Sequence, residues 1–268
     1  MKKRMIHFLV ILMIGLYLLL PVAATFLYSI SKMWSNTILP SGYTFSWYQE
    51  LFTDPRFIAA LGRSLWICII SLGLSILTMV VTVFVITLYL PKLERFFQAI
   101  VMLPYAIPGV VAAVALIKTY SSGPIVISGT VWIVIGAYYI HILPYMYQGI
   151  RNSLRTIDAK RLMEAAEVLG ASKINAFVHV VLPNIIPGIQ VSSLLSFSIL
   201  FGEFVLANML VGGQYETIQI YLMSRLQENG HFSSAIVITY FVIVLILSWV
   251  MLKLGTRLQN KERKEQVS

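Results

Sequence analysis

The sequence predicts an all-α polytopic membrane protein with six transmembrane helices and both termini in the cytoplasm. The first observation behind this is composition. Of 268 residues, 58% are apolar and only 12% charged, with a mean hydropathy of +0.82. A soluble domain runs nearer about 45–50% apolar and about 25% charged. So little polar surface cannot cover a globule in water, which excludes a soluble enzyme, a disordered chain and a disulfide-stapled secreted domain. The second observation is six stretches of the roughly 20 apolar residues that a helix needs to cross a hydrocarbon core of about 30 Å. They run approximately from Ile6 to Ile30, Leu65 to Leu90, Phe96 to Tyr120, Ile125 to Ile150, Ile186 to Val211 and Ser234 to Leu254. Their apolar residues are continuous rather than alternating, so they read as helices and not as barrel strands.

The third observation is where the cations lie. The chain has 20 Lys and Arg against 11 Asp and Glu, a formal charge of +9. One set of span ends holds Lys2, Lys3, Arg4, Lys92, Arg95, Arg151, Arg155, Lys160, Arg161, Lys173, Lys253, Arg257, Lys261, Arg263 and Lys264. The opposite ends hold only Lys32, Arg56, Arg63, Lys118 and Arg225. Cytoplasmic loops collect Lys and Arg, so the first set marks the inner side. Topology thus accounts for the basic charge, and no nucleic-acid partner is expected. The tail from Lys261 to Glu265 reads as a solvated end that can touch anionic lipid.

Taken in order, the first span follows Lys2, Lys3 and Arg4 and carries Ala23-Ala24, a faint processing signal. A secretory apolar core is about 7–15 residues, shorter than this run, so an uncleaved first helix is expected. Pro104, Pro108, Pro144 and Pro187 predict kinks or helix starts, which a membrane bundle tolerates. Three connections exceed a turn: residues 31–64 and 212–233 outside, and 151–185 inside. The remaining ones are tight, so neighbouring helices should pack antiparallel. No repeat or soluble domain interrupts the chain, and residues 1–268 read as one transmembrane domain. Trp34, Trp47, Trp66 and Trp249 fall near span ends, as interfacial anchors do, while Trp132 reads as packing. The single cysteine, Cys68, rules out a disulfide framework or a CxxC metal site. His141 has no partner at ligand spacing, so no metal is expected. There is no GxxxxGK[ST], GxSxG or HExxH motif, hence no phosphate loop and no catalytic residue in the chain.

The segment Asp158–Pro183 carries the most information. Asp158 is placed to cap a helix on which Leu162, Ala165, Ala166 and Leu169 share one face, with Lys160, Glu164 and Glu167 on another. Lys160 and Glu164 are spaced i,i+4 for an ion pair. Gly170 stands where a helix end wants a left-handed residue, and Ser172 can cap a second short helix that Pro183 ends or hands on to span five. The outcome is a compact helical hairpin with small residues that let another surface approach. An amphipathic linker on the bilayer is the alternative, but such helices carry bulky anchors on their apolar face, and this one is small and mixed in sign.

Glu164-Ala165-Ala166, then Gly170, then Val180-Val181-Leu182-Pro183 resembles the EAA loop of permease subunits of binding-protein-dependent ABC importers, with Val180 where Ile is common. The stretch from Phe45-Ser46-Trp47-Tyr48 through Asp54-Pro55 to Ser64-Leu65 is similar to the outer segment of the same family, Arg63 replacing a frequent Asn. The resemblance spans about residues 45–255. It implies a bacterial cytoplasmic-membrane protein that forms a translocation path by alternating access. It also implies three kinds of partner: two copies of a cytoplasmic ATP-binding subunit, a second permease (identical or homologous) and an extracytoplasmic solute-binding protein. ATP would be bound by the partner, so this chain needs no cofactor. Glu164, Ala165, Ala166 and Gly170 become contact and turn residues, and Leu182 and Pro183 tie the loop to span five.

Glu203 reads as the one carboxylate well inside a span. Such a charge costs about 2.5–3.5 kcal/mol at a helix centre on translocon scales, so it should face water or the bundle interior. It is either a pathway residue or a structural hydrogen-bonding group, and Asn208 can share that interior. Gly202-Glu203-Phe204 resembles the polyamine, 2-aminoethylphosphonate and ferric-iron branch of the permeases. An autonomous ion-coupled carrier is the alternative function, but it predicts an inverted repeat and several intramembrane charges that the sequence does not display.

Overall fold

The computed structural model describes residues 2–35 and 37–265. Apart from one isolated bridge between Ser31 and Tyr43, the regular structure among them is helical. The helices are α1 (Lys2–Ser29), α2 (Ser46–Thr53), α3 (Pro55–Tyr89), α4 (Glu94–Ala106), α5 (Gly109–Tyr120) and α6 (Val131–Thr156). They continue with α7 (Ala159–Val168), α8 (Lys173–Ala176), α9 (Leu182–Phe201), α10 (Val205–Leu210), α11 (Ile218–Leu226) and α12 (Gly230–Glu265). The side chains of Lys2, Lys3 and the basic tail Lys261–Glu265 lie outside the described residues.

Among the described residues, four helical stretches are long and apolar enough to cross a membrane, His7–Ser29, Pro55–Tyr89, Lys173–Phe201 and Gly230–Lys253, and a fifth if a bent pair counts as one. The expected third span, Phe96–Tyr120, is not one helix. It is α4 and α5, bent by 101°. Pro108 has no N–H to donate and its ring pushes the preceding residue out of the α region, so Ile107 is extended at φ −99°, ψ 117°. The expected fourth span starts later than Ile125, because Gly123 and Gly129 take positive φ and Thr130 is extended before α6 begins. α6 is long but polar for a crossing helix, carrying His141, Gln148 and several tyrosines, and much of it is buried. The expected fifth span, Ile186–Val211, is displaced: the helix reaches back to Lys173 and breaks at Gly202–Phe204.

By internal contacts the chain falls into two units, residues 1–59 with 221–245, and residues 60–220 with 246–268. The second is organised around α6 and α9, which cross closely because their facing residues are small. A Cβ at Gly149 would sit 2.4 Å from Ser192 Cβ, and one at Gly188 would sit 2.8 Å from Ser153 Cβ. Gly149/Ser153 and Gly188/Ser192 thus form reciprocal small-xxx-small pairs, which bring helix backbones together where lipid offers no hydrophobic drive. Around them Ile142, Met146, Ile150, Leu154, Ile185 and Leu200 are fully buried. Cys68 is a free thiol and is buried too. Trp132, expected to pack, is 62% exposed at the start of α6.

In the first unit, Asp54 ends α2 and starts α3. Its amide donates to Glu50 and Leu51 carbonyls, its Oδ1 accepts from the Arg56 amide, and Pro55 fills the first helical position. Its Oδ2 accepts from Tyr221 Oη (2.6 Å) and Arg225 Nη2 (3.0 Å). Burial works against this carboxylate, but hydrogen bonds from Tyr221, the Arg56 amide and Arg225 outweigh it and hold its pKa below the ordinary value.

Candidate functional site

Only Ile157 and Asp158 separate α6 from α7. Asp158 precedes the helix as expected but does not cap it. Its backbone is left-handed (φ 49°, ψ 56°) rather than the extended geometry a capping side chain needs, and its Oδ2 pairs with Arg161 Nε at 3.0 Å. The buried face of α7 is Ala159, Met163 and Ala166, about one position round from the expected stripe. Met163 is long enough to fill the interior, which turns Ala165 and Leu169 outward. Lys160 and Glu164 stand on the exposed side, 3.9 Å apart.

The end of α7 is closed by two hydrogen bonds. Gly170 N–H reaches the Glu167 carbonyl (2.9 Å) and Ala171 N–H reaches Ala166 (3.0 Å). That is a Schellman closure, and it needs Gly170 at φ 87°. Ser172 Oγ then accepts from the Asn175 amide and caps α8. Phe177–Val181 is a π-turn in which Leu182 N–H bonds to the Phe177 carbonyl. Pro183 follows, and it cannot donate to the α ladder, so the wider turn sits where an α bond is missing anyway. Val181 and Ile185 are buried and Leu182 and Pro183 half-buried, fastening the hairpin to α9.

The hairpin therefore brings Glu164, Ala165 and Gly170 together on an exposed surface and turns Ala166 inward. Three large apolar residues at its tip are exposed, Val168 by 86%, Leu169 by 88% and Ile174 by 75%; Val168 and Ile174 escaped the sequence reading, and Leu169 was expected on the packed face. Apolar residues flanking a left-handed glycine were the available signal.

Glu203 is elsewhere in the second unit, in the non-helical break rather than deep in a helix. Its Oε1 accepts from the Leu206 amide (2.8 Å) and its Oε2 from the Ala207 amide (3.1 Å), so the carboxylate closes the start of α10. Tyr138 Oη donates to the Glu203 carbonyl at 3.2 Å. Asn208 is exposed on α10 and its amide bonds to Phe204. α5 packs against this element, since a Cβ at Gly109 would lie 3.7 Å from Val205. His141 is half-buried, and no three His, Cys, Asp or Glu gather as a metal site among the described residues. Arg63 lies over the Tyr215 ring, 5.4 Å from its centroid.

The family described as "binding-protein-dependent transport system inner membrane component" matches residues 87–260, which contain the whole hairpin and Glu203. The chain belongs to this family. It is an inner-membrane permease with several membrane-crossing helices, a transport subunit. It is similar to the protein named 2-aminoethylphosphonate transport system permease PhnV of Salmonella typhimurium, at 28% identity over 91% of this chain and 92% of that one. The spermidine/putrescine permease PotC of Haemophilus influenzae is 27% identical over 82% of this chain and 84% of its own length. In fold, the permease resembles a chain of a bacterial alginate ABC transporter crystallised with an alginate-bound periplasmic protein. The TM-score there is 0.72 at 17% identity, covering 96% of each.

Proposed function

We propose that this permease is driven by a cytoplasmic ATPase that docks on the 159–183 hairpin. The observation that carries the reading is the rigid closure of that hairpin with Glu164 and Ala165 exposed beside an apolar tip. A lever must not bend where it is pushed, and the Schellman closure at Gly170 and the Ser172 cap remove the slack that a flexible linker would have. Two ATPase copies, a second permease and an external solute-binding protein complete the assembly, with six crossings and both termini inside. Glu164, Ala165, Ala166 and Gly170 shape the contact, and Leu182 and Pro183 pass its displacement into α9. ATP is bound and hydrolysed by the partner.

The solute class favoured is a small amine, 2-aminoethylphosphonate or a polyamine, in line with the names of the relatives; ferric iron is the third candidate. Glu203 and Asn208 are assigned to the path, Glu203 by shaping the break at Gly202–Phe204. The test has two parts. Replacing Glu164 and Gly170 should abolish co-purification of the ATPase, and an ATPase that binds regardless would sink the docking reading. Competitive uptake of 2-aminoethylphosphonate, spermidine and ferric iron in a deletion strain should reveal one deficit that this gene restores.

A further inference from the structure

The hairpin has a second attachment, at its root. Glu94, in the first turn of α4, accepts from Arg151 Nε and from Arg155 Nη2 (2.9 Å), both on the last turns of α6. The Glu94 and Arg151 side chains are only 13% and 21% exposed, and Arg155 is half in solvent. The Arg151 guanidinium also covers the ring of fully buried Tyr147, which meets Phe97 of α4 edge-on at 5.7 Å. One carboxylate thus serves two guanidinium groups at a half-buried seam, where an ion pair is held far more firmly than on the surface. Arg155 is three residues from the Asp158 joint that starts α7.

We propose that Glu94 is a positioning residue that makes α4 move with the hairpin. The displacement is thereby delivered to the bend at Ile107–Pro108. Beyond the bend, α5 lies against Val205 of α10, the element whose start Glu203 closes. Without the triad, a push on α7 would be taken up by sliding of α6 past α4. With it, α4 swings as a unit and the only compliant point is the extended residue before Pro108. The path is contiguous and every link has named atoms, which is what physical coupling between distant sites requires. The inference rests on the docking reading above.

The experiment uses the whole importer in liposomes with its own ATPase and binding protein. ATP hydrolysis is measured with and without the binding protein, and spin labels are placed at exposed positions on α7 and α4 (Lys160→Cys and Phe96→Cys in a Cys68→Ser background). Glu94→Gln should leave ATPase co-purification and basal hydrolysis intact while cutting stimulation by the binding protein about tenfold, within the usual range of intersite coupling. Glu94→Asp should recover part of it, and adding Arg155→Gln to Glu94→Gln should do no further harm. The α7–α4 label distance should stay fixed between nucleotide-free and ATP-bound states with Glu94, and should spread with Gln. Undiminished stimulation, or a label distance that Glu94→Gln leaves fixed, overturns the proposal. So does loss of ATPase binding in that variant, which would make Glu94 part of assembly. ATPase binding that ignores Glu164 and Gly170 refutes the docking reading instead, so the two failures are distinguishable.

Discussion

Glu164 and Glu203 are both rare acids in an apolar chain, and the molecule treats them in opposite ways. Glu164 stands on the outside of α7, paired among the described residues with Lys160 of its own helix, 3.9 Å away in solvent. Glu203 is consumed by the fold: both of its carboxylate oxygens take backbone amides of α10. An acid left open on a rigid support is available to a partner, whereas an acid that closes a helix start shapes the chain around it. The same contrast separates Ala165 from Ala166, adjacent small residues of which one faces out and the other fills the seam beneath α7.

The sharpest way to break this comparison is at the hairpin. Glu164→Ala with Gly170→Val should reduce ATPase recovered with the permease by at least about tenfold, since a β-branched residue at φ 87° is strongly disfavoured. Membrane insertion should be unchanged, and Glu203→Gln should keep the ATPase in place. The reverse pattern would invert the two assignments. Next in size is Glu203→Ala, which frees two amides at the start of α10. By analogy with lost helix caps, it should cost about 1–2 kcal/mol, read as a lower melting point in detergent. Glu203→Gln retains one acceptor and should cost less, yet lower uptake; full uptake with Gln would remove Glu203 from the path.

A third test compares these acids with Asp54, whose pKa is depressed. A carboxylate held below its ordinary value stabilises the folded state above that value, 3.8, and loses the contribution as pH falls through the folded value. Acid unfolding of the permease should therefore begin below about pH 4. Asp54→Asn should be less stable at neutral pH and flatter through the acid limb; an unchanged acid limb would count against Asp54 as the group responsible. Smallest of all is Lys160→Ala. An exposed i,i+4 pair is worth about 0.3–0.5 kcal/mol, so neither stability nor ATPase binding should shift measurably.

What was legible in the sequence was local. Gly170 as a left-handed helix end, Ser172 as a cap and Lys160 with Glu164 as a pair each depend on residues within four positions. The apolar runs were legible for the same reason. Which face of α7 turned inward was not, because it is set by packing against other elements: Met163 is buried while Leu169 is exposed. The bend at Pro108 was half visible: proline announced a disruption, while its 101° angle could not be read from local residues. That Glu203 lies in a break between helices was not legible, because continuous apolar residues hide a break that hydrogen bonds from the Leu206 and Ala207 amides maintain. Glu94 was invisible, since its partners are 57 and 61 residues away.

The π-turn at Phe177–Val181 carries one residue more than an α-turn would hold. Deleting a single residue there would restore ordinary helical geometry and rotate everything upstream by about 100° relative to α9. Val168, Leu169 and Ile174 would then be presented in a different direction while the buried positions of α9 kept their neighbours. The turn works as an indexing notch. It lets insertions and deletions re-aim the exposed tip without disturbing the α6–α9 seam, so that, on the docking reading proposed above, a permease of this design can be refitted to a different ATPase by changing the length of the chain at one place.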